Sequence, residues 1–422
     1  WQTYYRGAVA YRVSEEPWFH VPGITELKLR YARGTAGDRT DLQASFGALS
    51  APSPDPVPRD ALGSRDLHPP RATEQEVGID VVAFDRVSLQ LSYVDQTTED
   101  LVALALGGSS DAIVRNAGTM SGQTWEATLG ARLIDRPGLR WSSTLVADRS
   151  RSRIDELDVP CYFTRNVVYC EGNSISDIWG GRFARSPEDL PAIHAGSLDA
   201  FQINDDGYLV PVGAGNSWRD GLRKDLWGTT ITIDGINYAW GVPIEVTDST
   251  GRPVFGKIGS SRPDVSLGWL NNLSWHGFDV HTVVHAQLGG QVYNYTRQLL
   301  YHPRRHGDLD QSGKPDERKK PVEYYEALYN DGDVSEPFLE DGTFVKLREL
   351  SVRYNLSEAL LSRIGLGGLG ADRAAIGIIG RNLLTLTDYS GFDPEVGGIL
   401  QRYDLFSYPN TRTITGMVEI TF

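Results

Sequence analysis

The chain has 422 residues, 41 Lys plus Arg against 55 Asp plus Glu, and a net charge of −14. Its mean hydropathy is −0.32, and no apolar run approaches the roughly 18 to 20 residues of a membrane-crossing helix; the best, Leu101 to Leu106, is far too short. Helical membrane proteins are excluded, membrane barrels are not. The acidic balance argues against a nucleic-acid binder, and 10 Trp, 19 Tyr and 13 Phe argue against wholesale disorder.

The chain opens at Trp1 without a basic segment and an apolar stretch behind it, so no signal peptide is visible, and truncation of a longer protein is the expected reason. From there, eleven segments alternate with period 2, as strands facing two different environments must. They fall near 4–14, 24–32, 76–84, 86–95, 123–133, 139–148, 264–275, 278–288, 344–354, 374–382 and 412–422. In the fourth, Val87, Leu89, Leu91 and Tyr93 alternate with Ser88, Gln90 and Ser92. In the ninth the phase breaks, Val345 and Leu347 giving way to Leu350, Val352 and Tyr354, which predicts a bulge.

The connections alternate too. Short or intermediate links (15–23, Asp85, 134–138, His276-Gly277, 355–373) follow the odd-numbered strands. Long ones (33–75, 96–122, 149–263, 289–343, 383–411) follow the even-numbered strands. All large loops then lie at one rim, which is the habit of an antiparallel transmembrane β-barrel and not of a soluble sandwich. The Leu/Val/Ile/Trp/Tyr face meets lipid, the Ser/Gln/Glu/Arg/His face lines the lumen, and Tyr5, Tyr11, Tyr93, Trp125, Trp141, Trp269 and Trp275 suit interfacial girdles. Eleven is an odd count for a single-chain bacterial barrel, so either one strand is missed, for instance Thr229 to Tyr238, or the barrel begins before Trp1.

Cys161 and Cys170 sit nine apart. In an exported protein such a pair closes a small loop as a disulfide; two unrelated buried thiols are the competing reading. Asp308, Asp310, Ser312 and Asp316, with Gly313 at the sixth position, resemble the start of a calcium loop, but Lys319 stands where a bidentate Glu belongs, and a solvated loop is preferred. His302/His306 and His281/His285 are each four apart without the context of a zinc site. No nucleophile elbow, P-loop or dinucleotide fingerprint occurs, and the Gly365 to Gly370 run reads as a turn. No cofactor and no enzymatic activity are expected. Loop aromatics Trp179, Trp218, Trp227, Tyr238 and Trp240 suit either a stacked sugar or peptide ligand or the packing of the long loop itself.

The last eighty residues resemble the C-terminal end of the SusC/RagA family of TonB-dependent outer-membrane transporters. The likeness rests on Phe344 to Tyr354, on the block GRNLLTLTDYSGFDPE over 380–395, on Tyr408-Pro-Asn-Thr-Arg-Thr, and on the closing strand to Phe422. Glu76-Val-Gly-Ile-Asp, Arg86 to Asp95, Asn116-Ala-Gly-Thr, Glu171-Gly-Asn-Ser and Asp206-Gly-Tyr-Leu-Val are similar to family barrel segments in the family's order. The motif residues are Gly380, Arg381, Asn382, Leu383, Gly391, Asp393, Pro394 and Glu395. The alternation of Gly416, Val418, Ile420 and Phe422 resembles the signal read by the barrel assembly machinery.

The resemblance implies that residues 1–422 are the C-terminal part of a barrel of about 22 strands. A signal peptide, a TonB-interacting segment and a plug are then lacking from the sequence. It also implies a place in the outer membrane of a diderm bacterium, in contact with its lipid, and import of oligosaccharides or peptides with a SusD-like lipoprotein, powered through TonB-ExbB-ExbD. The rivals are a passive porin or stand-alone barrel, and a secreted carbohydrate-binding or adhesive β-protein.

Overall fold

The computed structural model describes residues 3–37, 67–106, 112–164, 167–329, 334–398 and 402–422. Eleven strands form one large antiparallel sheet in which each pairs only with its neighbours in the chain. They are β1 (Arg6–Arg12), β2 (Ile24–Gly37), β3 (Arg71–Ala83), β4 (Val87–Glu99), β5 (Thr119–Arg136) and β6 (Leu139–Glu156), then β7 (Val265–Trp275), β8 (Phe278–Leu288), β9 (Phe344–Asn355), β10 (Arg373–Thr387) and β11 (Thr413–Thr421). All eleven expected strands are present in the expected order. β1 and β11 are the two edges of this open sheet.

Register fixes the two faces. Across the sheet, Leu89 pairs with Leu129, Leu129 with Leu145, Leu145 with Trp269, Trp269 with Val284, Val284 with Leu347 and Leu347 with Leu384. Such an unbroken apolar row, with Leu129, Leu145, Trp269 and Leu384 exposed, is stable only against lipid, where the ladder also satisfies every backbone donor and acceptor it can. Two aromatic belts bound it. At the loop end Tyr31 pairs with Val77, Val77 with Tyr93 and Tyr93 with Trp125, the last two rings 4.7 Å apart. At the turn end Trp141, Trp275, Phe278 and Tyr354 gather, Phe278 and Tyr354 at 4.6 Å. On β5, Trp125 and the partner of Trp141, Ile134, lie nine residues apart; that is about 30 Å along a strand, or about 23 Å of height at a 40° tilt, the thickness of an outer-membrane apolar band.

The turns explain the short links. Phe84 and Asp85 (φ 52° and 51°) and His276-Gly277 (φ 46° and 90°) are both left-handed, the hairpin geometry that matches strand twist. The expected bulge is also there: register shifts between Leu347 and Glu349 leave Arg348 as the extra residue, opposite a second irregularity at Asn382, whose φ is 51°.

Two expectations need correction. Several strands run past their expected loop-side ends, β6 to Glu156 and β10 to Thr387, because above the bilayer both faces are wet and alternation fades. Thr229 to Tyr238 is not a missing barrel strand; Thr230–Ile233 and Ile236–Ala239 form a local hairpin outside the large sheet. The intermediate 355–373 link holds helix α3 (Glu358–Arg363), capped by Ser357, whose side chain accepts from the Leu360 amide. Of the longest loops, residues 38–66 of the first lie outside the described residues.

Candidate functional site

The lumen face begins with a charge network that one strand pair builds. Arg30 on β2 donates to Asp80 Oδ1 (3.0 Å), Glu76 Oε1 (2.8 Å) and Ser92 Oγ (3.0 Å), and Lys28 reaches Asp80 Oδ2 at 2.6 Å. Gly78 makes this possible: a Cβ there would stand 2.6 Å from Arg30 Nη2. The Glu76-Val-Gly-Ile-Asp segment is thus a clamp for an arginine lying flat on the wall.

A second network joins wall to loop. Lys346, at a lumen-facing position of β9, is 1% exposed and holds Asp393 Oδ1 at 2.5 Å and Glu395 Oε2 at 3.0 Å. The bulge turns Arg348 inward to the same carboxylate, Nη1 to Glu395 Oε2 at 2.7 Å, with His285 as its other partner. Burial pushes the Asp393 carboxyl up, but the Lys346 ammonium and the amides of Glu395 and Asn410 outweigh it and hold the group below the usual carboxylate range. Glu395 is lowered in the same way, burial opposing the bonds from Arg348 and Lys346. Asn382 Nδ2 donates to Thr411 O, and buried Arg402 donates to Pro394 O and Gly342 O. The loop between β10 and β11 is therefore latched onto the wall. Of the family-like motif, Asp393 and Glu395 are the latch and Asn382 the hinge of the bulge. Gly380 and Gly391 leave space for Leu383 and Tyr389. Arg381 pairs with Glu349 at 2.9 Å, apart from the latch. Sequence reasoning missed Lys346 and Arg348; the signal is a cation two residues before the bulge and another at the bulge itself.

Over the wall lies a layer built by the long loops. Helices α1 (Tyr295–Tyr301) and α2 (Val322–Tyr329) pack with Phe183, Tyr208, Tyr293 and Phe338 into an aromatic core. Half-buried Arg297 on α1 donates to Glu340, Tyr301 and Asp308 at 3.2 Å each. Trp240 is fully buried and donates to Val212 O at 2.9 Å, Trp227 stands edge-on to it at 5.0 Å, and Tyr238 bonds buried His194 at 2.8 Å. Trp218 packs on the same cluster, and Trp179 lies parallel to Phe255. These aromatics hold the loops together in this structure. A disulfide joins Cys161 and Cys170, Cα atoms 4.7 Å apart.

The calcium-like residues do not converge. Asp308 accepts from Tyr301 and Arg297, Asp310 from the Ser312 amide, and Asp316 pairs with Lys319. Among the described residues no group of three or more His, Cys, Asp or Glu is placed to hold a metal ion. His281 bonds Asn272, His306 accepts from the Asp308 amide, and His302 packs on Tyr329. Gly416, Val418 and Ile420 alternate on edge strand β11 and Phe422 follows it in the same alternation, with Val418 and Phe422 among the most exposed apolar residues.

The comparisons with known proteins agree with this anatomy. No family model matches the chain. TonB-dependent receptor P3 of Formosa agariphila is 24% identical over 452 residues, covering 99% of this chain and 41% of that protein. TonB-dependent receptor P26 of the same organism is 24% identical, covering 98% and 42%. Among solved structures, the RagAB peptide transporter superposes with a TM-score of 0.67 at 17% identity, over 99% of this chain and 43% of that one. The RagAB peptide importer in its closed-closed state gives 0.66. The sheet is a partial antiparallel β-barrel, and the chain is similar along its whole length to these TonB-dependent receptors. Its fold is similar to the barrel of the RagAB structures. The chain spans about two fifths of the length of the curated relatives it matches. No helix among the described residues is long and apolar enough to cross a membrane, which leaves crossing by strands untouched.

Proposed function

We propose that this chain is the wall and loop layer of a TonB-dependent importer in the outer membrane of a diderm bacterium, not an enzyme. One observation carries the reading: eleven consecutively paired strands whose lipid face is apolar and whose large loops all stand at one rim. Both exposed sheet edges need partners in a bilayer, so the remaining strands of a barrel of about 22 complete it, with the plug and the TonB-interacting segment supplied by the rest of the protein. The cargo is an oligosaccharide or peptide gathered under a SusD-like lipoprotein that rests on the aromatic loop layer. The relative named as a peptide transporter supports this assignment by fold alone. The segment ending at Phe422 is the part offered to the barrel assembly machinery; with three exposed apolar positions, Val418, Ile420 and Phe422, in its last five residues, it suits in-register pairing with a template strand.

The test is uptake by cells carrying the full-length gene. Accumulation of labelled oligosaccharides or peptides is expected to require the gene, TonB and the proton gradient, and the protein to fractionate with outer membranes in a heat-modifiable form. Uptake that persists without TonB would replace this reading by a passive pore; recovery as a soluble monomer would end it.

A further inference from the structure

β6 and β7 pair up to Asp148 and Ser266 and then part, while β5 stays bonded to β6 as far as Glu156. Higher up, β6 takes a new neighbour: Ile154 N donates to Asn173 O and Gly172 N donates to Ile154 O, both at 2.8 Å. Between these points lies a polar cavity of about 710 Å³ at the loop end of the wall, lined by Ser150, Arg151, Ser152, Arg153, Lys257 and Arg262 among others. In a chain with a net charge of −14, four cations around one cavity are out of keeping with the rest of the surface.

The carboxylates of the cavity do not neutralise them all. Asp177 is taken by Lys257 at 2.8 Å, and Asp155 accepts from Ser121 at 3.0 Å. Asp264 also lines the cavity. Among the described residues no carboxylate lies within ion-pair distance of Arg151, Arg153 or Arg262. Arg262 touches only hydroxyls, Nη1 to Ser150 Oγ at 3.3 Å and Nη2 to Ser152 Oγ at 3.0 Å, and its Nε is buried without a partner. Burial, and next the neighbouring positive charge of Arg151, lower the pKa of this guanidinium. A half-buried cation with an orphaned donor is costly unless an anion completes it. The cavity also offers a chain of hydroxyls, Ser152 to Ser174 at 3.3 Å and Ser174 to Ser176 at 2.8 Å.

We infer that this cavity binds a tetrahedral oxyanion, a phosphate or sulfate group carried by a larger molecule, between Arg262 and Arg151. The volume suits an anionic sugar or a lipid headgroup and exceeds what a bare ion fills. Its height, just above the row in which Trp125 pairs with Arg149, is that of the headgroup region. The inference concerns binding alone and stands apart from transport.

The experiment is calorimetry on the full-length protein in neutral detergent, with inorganic phosphate and sulfate as probes and chloride as the control anion. Saturable binding at one site is expected, weakened about ten- to hundredfold by Arg262→Gln, the range for losing a charge-assisted hydrogen bond. Lys224→Gln, which removes a cation paired with Asp220 elsewhere, is expected to leave it unchanged. Should Arg262→Gln lose its heat-modifiable migration, Arg151→Gln serves instead, with a several-fold loss expected. Nanodiscs of phosphatidylglycerol against phosphatidylcholine separate the sources: competition with the free anion marks a headgroup as the occupant, and its absence marks a soluble anion. No saturable binding by the folded wild type, or equal affinity in the Arg variants, would overturn the inference.

Discussion

Replacing Lys346 by Met is the most direct probe of how loop and wall communicate. The ammonium is 1% exposed and serves two carboxylates at 2.5 and 3.0 Å. Arg348 still covers Glu395, but Asp393, itself buried, keeps only the amides of Glu395 and Asn410. Removing one member of a buried pair costs about 3–5 kcal/mol, or about two to three and a half powers of ten in the docking equilibrium of this loop. The assay is hydrogen exchange on the full-length protein: amides of Glu395 and Asn410 are expected to lose protection by that factor while the β8–β9 ladder keeps its own. Lys346→Met with Asp393→Leu should recover much of the loss, since an apolar pair replaces an orphaned charge. Unchanged exchange at 388–412 in the single variant would refute the latch.

Other outcomes follow from the same geometry. Asp393 and Glu395 have carboxyl pKa values lowered in the folded state, so their contribution is present above the ordinary carboxylate pKa of about 4 and fades as pH falls through the lower folded values; loop proteolysis is expected to rise only below about pH 4. Gly78→Val forces the Arg30 guanidinium off Asp80, Glu76 and Ser92, at about 1–3 kcal/mol, read as a lower urea midpoint for the heat-modifiable form. Trp240→Ala empties the loop core at about 3–5 kcal/mol, and protease sensitivity is expected within 157–264 with the large sheet intact. Reduction of Cys161–Cys170 releases a ten-residue ring and about 2.7 kcal/mol of chain-entropy constraint, visible as faster exchange confined to 157–176.

The wall was legible because each of its strands separates oil from water, and period 2 records that separation residue by residue. Where β6 climbs out of the bilayer through Ser150, Arg151, Ser152 and Arg153, both faces are wet and the signal ends, so the strand was read eight residues short. The loop layer was legible only as aromatic-rich. Its contacts join residues far apart in sequence, Asn204 to Tyr324 for example, and no local pattern encodes such a meeting. The latch was half visible: the motif contained Asp393 and Glu395, but their partner Lys346 is an ordinary polar position of an alternating strand until the fold buries it.

Because every strand of the sheet bonds only to its predecessor and successor, the 108 residues between β6 and β7 interrupt a ladder without disturbing it: Leu139 to Asp148 still meet Trp275 to Ser266 one for one. Insertions at that rim are topologically free. A lineage can thus lengthen, shorten or exchange its outer decoration, and with it what the protein recognises, while the staves beneath remain in step.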